Sequence, residues 1–136
     1  MSWTEAKTNW VATDHFNISD FNRIKNNIQY IYEASKLIWG DYDITAMGAD
    51  MDDYTEFWDV SKFNAFENNL DTINAHMLNA DIGVKQTFYE NGLFIGYEEL
   101  NRLERATVLL KATIDGWYEA MDYLPFRLGA KKRFKV

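Results

Sequence analysis

The sequence contains no cysteine, and it has only two histidines, four serines and one proline among its 136 residues. The absence of cysteine excludes disulfide bonds, thiolate zinc sites and cysteine nucleophiles, and it agrees with folding in a reducing compartment. His15 and His76 have no metal-ligating partner three or four residues away. We therefore expect no catalytic residue, no metal site and no cofactor, and we do not expect an enzyme.

Long apolar runs are also missing, since no stretch approaches the ~18 consecutive apolar residues that a membrane helix needs. The amino terminus has neither the basic start nor the apolar core of a secretion signal, so we expect none. Apolar residues make up 47% and charged residues 26% of the chain, while aromatic residues reach 16%. We expect one protomer over residues 1–136, with a well-filled core, a partner surface, or both.

Positive charge is scarce outside the carboxyl terminus. The chain has 14 basic and 21 acidic residues, yet five basic residues and no acidic one lie between residues 127 and 135. The acidic remainder repels nucleic acid, so nucleic acid is not an expected partner. Basic residues interleaved with aromatic ones can bind single strands. For the basic tail, 124–136, we favour instead the acidic stretch 41–59 of a neighbouring copy as the electrostatic partner.

The acidic stretch contains the alternating pair Asp50 and Asp52, a pattern that can hold a hard cation through oxygen ligands. An EF-hand loop requires glycine at its sixth position, where a loop starting at Asp50 has Thr55. We interpret this stretch as a solvated acidic loop.

Three segments of the chain resemble one another: 16–24, 58–66 and 95–103. Each begins with a large apolar residue and then has a residue that favours the helix N-cap, and each contains an apolar–Asn pair five residues after its first residue. The N-cap candidates are Asn17, Asp59 and Gly96. In the first two segments an Asn-Asn pair follows. The pattern predicts three helix starts with hydrophobic staples, either repeated by descent or unrelated.

Apolar residues continue from each start with alternating steps of three and four, which is the heptad pattern of bundles and coiled coils. The predicted helices span 18–39, 60–78 and 97–122. The predicted stripes are Phe21, Ile24, Ile28, Ile31, Ser35 and Ile38; Phe63, Phe66, Leu70, Ile73 and Met77; and Leu100, Leu103, Thr107, Leu110, Ile114, Trp117 and Met121. The stripes are wide enough for a three-helix bundle or for contact with a second subunit.

The connections between these helices carry further predictions. Residues 84–95 have β-favouring residues on both sides of Asn91-Gly92, which predicts a small β-hairpin. The N-terminal arm, 1–16, and the tail, 124–136, are predicted to be extended. The fold class is therefore mainly α, with three heptad-patterned helices, a hairpin and extended terminal arms. The residues expected to touch other chains are Trp3, Trp10, Lys131, Lys132 and Arg133.

Four stretches carry a resemblance to a known group of proteins. They are 10–28 (WVATDHFNISDFNRIKNNI), 63–70 (FNAFENNL), 87–94 (TFYENGLF) and 126–129 (FRLG). Together they resemble small virion proteins encoded among the tail and baseplate genes of phages and prophages of Gram-positive bacteria. The resemblance implies a structural component of the virion, present in many copies and assembled in the bacterial cytoplasm. It assigns no binding residue.

We therefore expect a non-enzymatic structural protein of a bacteriophage particle, from the tail or baseplate, that forms a homo-oligomer and contacts other phage structural proteins. The alternative is a module at the tail tip that binds a glycan of the host cell surface, because tryptophan and tyrosine provide faces for sugar stacking. A third hypothesis, a wall hydrolase, needs a carboxylate pair in a cleft, and nothing in the sequence marks one.

Overall fold

The computed structural model describes residues 3–52, 60–77, 79–83, 85–88 and 96–122. Its three α-helices are α1 (Ile18–Trp39), α2 (Val60–His76) and α3 (Tyr97–Asp122). They pack against one another, as the sequence predicted. The helix α2 ends two residues before its predicted end at 78. Here Asn79 lies in the left-handed region, with φ 52°, and its N–H donates to the carbonyl of Asn74, which is a common way to end a helix.

The start of α1 is fixed by a side chain in its own first turn. The backbone of Asn17 is extended, with φ −109° and ψ 169°, and its N–H donates to the carboxylate of Asp20 at 2.9 Å. This is the reciprocal half of a capping box, in which an acidic residue three positions after the N-cap satisfies the N-cap amide. The residues before the other two predicted starts, 53–59 and 89–95, lie outside the described residues.

One hydrophobic core holds the three helices together and collects most residues of the predicted stripes. Its most deeply buried members are Phe21, Ile24, Ile28 and Ile31 of α1, Phe63, Phe66, Leu70 and Ile73 of α2, and Leu103, Leu110 and Ile114 of α3. The ring of Phe21 lies 5.8 Å from that of Phe63 and 5.0 Å from that of Phe66. Burial of each such side chain contributes about 1.5–3 kcal/mol, so the core is the main force that joins the helices.

The helices run parallel to one another. Between α1 and α3, Arg23 pairs with Glu104 near both helix starts, and Trp39 contacts Trp117 near both helix ends. Between α1 and α2, the contact of Phe21 with Phe63 also joins two helix starts. Helices joined by short loops pack antiparallel. Parallel helices therefore require connections that return along the bundle, and this chain has them.

Three non-helical segments lie against the helices, and we call them straps. Strap 1 is residues 3–10, strap 2 is residues 42–51, and strap 3 is residues 79–88, of which residue 84 is outside the described part. Strap 2 shows the return path. Its first residue, Tyr42, contacts Tyr32 and Ser35 late in α1, and its last, Met51, is bound by Asn22 near the start of α1.

The predicted β-hairpin is not supported. No strand is present in the described ranges, and residues 85–88 are irregular. The Asn91-Gly92 turn lies outside the described residues, as does the predicted tail 124–136. Residues 85–88 have another use for their backbone groups, because Phe88 is hydrogen-bonded to the side chain of Asn64 and not to a second strand.

Candidate functional site

The most distinctive polar feature of the molecule is a two-bond contact between a helix asparagine and the backbone of a strap. The side-chain amide of Asn101 accepts the N–H of Trp10 at 2.7 Å and donates to the carbonyl of Trp10 at 2.9 Å. We call this arrangement an amide clamp. It satisfies both backbone groups of one residue, as a neighbouring β-strand would, and it therefore replaces sheet pairing in a chain whose described part has no strand.

Amide clamps occur at the same place in all three helices. Asn22 clamps Met51, with bonds of 2.8 and 2.9 Å, and Asn64 clamps Phe88, with bonds of 2.7 and 2.9 Å. Together with Asn101, these are the asparagines of the apolar–Asn pair that the three similar sequence segments share. The structure thus assigns the repeated asparagine a role that sequence reasoning missed.

A second set of clamps begins five residues later in α1 and α2. Asn27, which is fully buried, clamps Thr4, and Asn69 clamps Thr45 with two bonds of 2.8 Å. These are the second members of the two Asn-Asn pairs in the sequence. Each of strap 1 and strap 2 is consequently clamped by two different helices, and it ties those helices together.

Glu104 of α3 is the centre of a buried polar cluster. Its carboxylate is 1% exposed and accepts the backbone N–H of Lys7 at 3.0 Å, the indole N–H of Trp10 at 2.6 Å, and two N–H groups of Arg23 at 2.9 and 2.6 Å. Burial lowers the pKa of Arg23, but its hydrogen bonds to Glu104 and Asp20 outweigh burial and raise that pKa above its ordinary value. Strap 1, α1 and α3 thus meet at one carboxylate.

Glu67 of α2 is placed like Glu104, three residues after a clamping asparagine. It is 2% exposed, pairs with Arg102 of α3 and accepts the N–H of Gln86 in strap 3. The corresponding residue of α1 is Lys25, which reverses the polarity and donates to the carbonyl of Gly48 at 3.1 Å and to Asp50 at 2.5 Å. The three residues occupy one register position, and each binds its strap one to three residues before the residue that the asparagine clamps.

The predicted interface residues do not form one site. Trp10 is 3% exposed and lies in the core of its own chain, so the prediction that it contacts another chain is wrong. A buried indole N–H requires a hydrogen-bond partner, and Glu104 provides it. Trp3 is half-buried, with its ring 6.0 Å from that of Tyr30 and the ammonium of Lys111 5.4 Å from its centre. Lys131, Lys132 and Arg133 lie outside the described residues.

The two histidines lie apart. His15 is exposed beside α1, whereas the ring of His76 stacks on that of Tyr42 at 4.1 Å. In the ranges that the structure describes, no three histidine or acidic side chains converge as metal ligands.

Two described aromatic residues are exposed: Tyr97 at the start of α3, and Trp117 near the end of α3. His76 lies 12 residues beyond Asn64, whereas Trp117 lies 16 residues beyond the equivalent Asn101. The helix α2 has ended before the level of Trp117, and this residue of the predicted apolar stripe is 42% exposed. Its ring contacts Trp39 at 5.9 Å.

A groove lies between α1 and α3 near the same ends of these two helices. This groove encloses about 470 Å³, and Leu37 and Tyr118 line it together with Glu33 and Lys36. Leu37 is 53% exposed. Glu33 and Lys36 pair at 3.3 Å along the rim. We call the surface formed by Leu37, Trp39, Trp117 and Tyr118 the open end, and it is the candidate site for contact with a partner.

Comparison of the chain with protein-family models, with curated proteins and with solved structures finds no match. None of the helices in the described part combines the length and apolar character required to cross a membrane.

Proposed function

We propose that this chain is a non-enzymatic structural component of a bacteriophage particle, in the tail or baseplate, that acts by assembling with copies of itself and with other virion proteins. The particle is put together in the bacterial cytoplasm. The observation that carries the assembly role is the open end, where Trp117 belongs to an apolar stripe and yet remains uncovered. The resemblance of the four sequence stretches to virion proteins supports the location.

The use of the buried polar side chains supports the same role. Asn27, Asn69 and Asn101 clamp backbone, and Glu67 and Glu104 bind arginine and strap amides. Such a network rigidifies a fold, and it is costly to disturb, because a buried polar group that loses its partner costs about 1–3 kcal/mol. A rigid protomer suits an assembly in which every copy must present the same surface.

In this proposal, copies meet through the open end and continue the predicted heptad packing there. The Trp117 side chain of one copy packs against a neighbouring copy, beyond the level at which α2 ends. The basic tail 124–136 then contacts acidic residues of a neighbour, since the acidic stretch 41–59 of one copy complements it in charge. Assembly of this type responds to salt, because exposed charge pairs are screened within about 8–10 Å at physiological ionic strength.

The alternative, a glycan-binding module, is less well supported by the aromatic side chains. Trp10 is buried, and Tyr42 is hydrogen-bonded to Ser35 and stacked on His76. Of the described aromatic residues outside the stripes, Tyr97 is the one that is largely exposed. A sugar-stacking site requires exposed rings that converge, and the open end is better placed to receive a protein surface.

The test is light scattering on the purified chain over a range of concentrations, at low and high salt. We expect concentration-dependent association that Trp117→Ser weakens by at least about tenfold. The matched control is Val108→Ser, because Val108 is equally exposed and lies nine residues earlier, on the opposite side of α3. A chain that stays monomeric at millimolar concentration, or equal effects of the two substitutions, would contradict the proposal.

Location in the particle needs a separate measurement. Mass spectrometry and electron microscopy of purified virions that encode this chain should find it in many copies in the tail or baseplate. Its absence from the virion, with association of the purified chain retained, would separate the assembly role from the phage role.

A further inference from the structure

The clamps show that the chain is built from three equivalent units, each consisting of a strap followed by a helix. The first clamping asparagine is Asn22 in α1, Asn64 in α2 and Asn101 in α3. Each binds a strap residue near the start of its own helix, and these residues are Met51, Phe88 and Trp10, respectively. The equivalence is geometric as well as sequential, since Lys25, Glu67 and Glu104 each lie three residues later in their helices. Each binds the same strap two or three residues before the clamped residue, at Gly48, Gln86 and Lys7.

The second clamp is missing from one unit. It lies five residues after the first, at Asn27 in α1 and Asn69 in α2, whereas the equivalent position in α3 is Ala106. Ala106 is buried and has no side chain that can bind backbone. Strap 3 passes this position, because Ile82 and Gly83 line a cavity of about 420 Å³ together with Ala106.

The described hydrogen bonds of strap 3 to helices consequently lead to one helix, whereas straps 1 and 2 are each clamped by two. Ala80 is clamped by Asn74, Gln86 is bound by Glu67, and Phe88 is clamped by Asn64, all of which belong to α2. Within residues 79–83, which are all described, no hydrogen bond reaches α3. The described contacts there are packing contacts: Ile82 is partly buried against the core, and Gly83 lies against the side chain of Arg102 in α3.

We infer that strap 3 is the movable element of the fold, which separates from α3 near Ala106 while straps 1 and 2 remain in place. Asn64 and Asn74 keep the two ends of strap 3 on α2, so the motion is an opening of the middle of the strap. The opening uncovers the face of α3 around Ala106 and Leu109. It depends only on the unequal clamps and is independent of the proposed virion role.

The chain has no cysteine, so a single introduced thiol reports the opening of each strap. Ile82 in strap 3 and Ile44 in strap 2 form a matched pair, since both are partly buried against the core. We expect the thiol introduced by Ile82→Cys to react with a soluble disulfide reagent at least about tenfold faster than the thiol introduced by Ile44→Cys. The reaction at position 82 should depend weakly on urea, as local opening does.

Two further substitutions add a clamp to strap 3 and remove one from strap 2, and each should change the labelling rate of its strap. Ala106→Asn supplies the missing clamp, and in the Ile82→Cys chain it should slow labelling about tenfold. Asn69→Ala removes the equivalent clamp of strap 2, and in the Ile44→Cys chain it should accelerate labelling about tenfold.

The inference is overturned if the two thiols react at equal rates, or if Asn69→Ala leaves labelling at position 44 unchanged. The second comparison remains decisive even if Ala106→Asn prevents folding. Circular dichroism of every variant confirms that the native helices are retained.

Discussion

Strap 1 and strap 3 both lie in grooves between parallel helices, yet they are held in different ways. Strap 1 is clamped by α1 at Thr4 and by α3 at Trp10, whereas the described hydrogen bonds of strap 3 lead to α2. The difference shows that a strap acts as a tie between helices only where asparagines on both sides reach its backbone. Apolar packing differs in the same direction, since Trp10 of strap 1 is a core residue, whereas Ile82 and Phe88 of strap 3 are only partly buried against the core.

The largest test of this comparison removes the carboxylates that join helices to straps. Glu104→Ala should lower the free energy of unfolding by about 3–5 kcal/mol, because it leaves Arg23 half-buried without its main partner and frees two N–H donors of strap 1. Glu67→Ala should cost less, since Glu67 holds a single described strap amide. Urea unfolding of both variants measures the difference, and equal losses would contradict the asymmetry between the straps.

The next test compares two clamps. Asn101→Ala should cost about 2–3 kcal/mol, because it leaves the N–H and carbonyl of a buried residue, Trp10, without partners. Asn64→Ala should cost about 1 kcal/mol, since Asn64 and Phe88 are both partly exposed and water can replace the amide. Thermal and urea unfolding provide the measurement. A larger loss for Asn64→Ala would show that strap 3 is the more tightly held of the two.

A third test uses two glycines with similar backbones. Gly83 in strap 3 has φ +92° and Gly48 in strap 2 has φ +78°, so alanine at either position costs about 1 kcal/mol of backbone strain. A Cβ at Gly83 would lie 2.7 Å from Cδ of Arg102, whereas one at Gly48 meets nothing within 4 Å. We expect Gly83→Ala to be more destabilising by about 0.5–1 kcal/mol, because it displaces Arg102 from Glu67. Equal urea midpoints would exclude this contact.

The smallest effect concerns pH. Hydrogen bonds from Lys25 and Asn26 hold the pKa of Asp50 below its ordinary value. A lowered folded-state pKa contributes stability above the unfolded-state pKa and loses it as pH falls through the folded-state pKa. The contribution is at most about 1 kcal/mol, since Asp50 is largely exposed. Wild-type stability should therefore fall slightly more than that of Asp50→Asn below about pH 4. If the free energy of unfolding of the two proteins changes with pH in parallel, the Asp50 carboxylate does not help to attach strap 2.

Much of the fold was predictable because local patterns carry it. The steps of three and four predicted three helices, and the helices begin at 18, 60 and 97, two residues after the first residue of each repeated segment. The parallel arrangement was not predictable, since periodicity says which face of a helix is apolar and not in which direction its neighbour runs. The hairpin was predicted from Asn91-Gly92 and neighbouring propensities, which do not reveal that Asn64 binds the backbone of Phe88.

The candidate site was predictable only in part. Trp10 was expected at a subunit contact because tryptophan is enriched in interfaces, but its assignment depended on the distant Glu104, 94 residues away. Trp117 was placed on the apolar stripe of the third predicted helix, and its exposure beyond the end of α2 was not predicted. The asparagine pairs were visible as a repeat, yet their meaning depended on straps that the sequence does not place.

The positions of the helices and their apolar faces follow from local sequence, because capping and periodicity act within a few residues of the chain. The parallel direction of the helices and the binding of straps by asparagines arise only when the chain is folded. The same holds for the second clamp that strap 3 lacks at Ala106. These features depend on contacts between residues far apart in the chain, and no local pattern encodes such contacts.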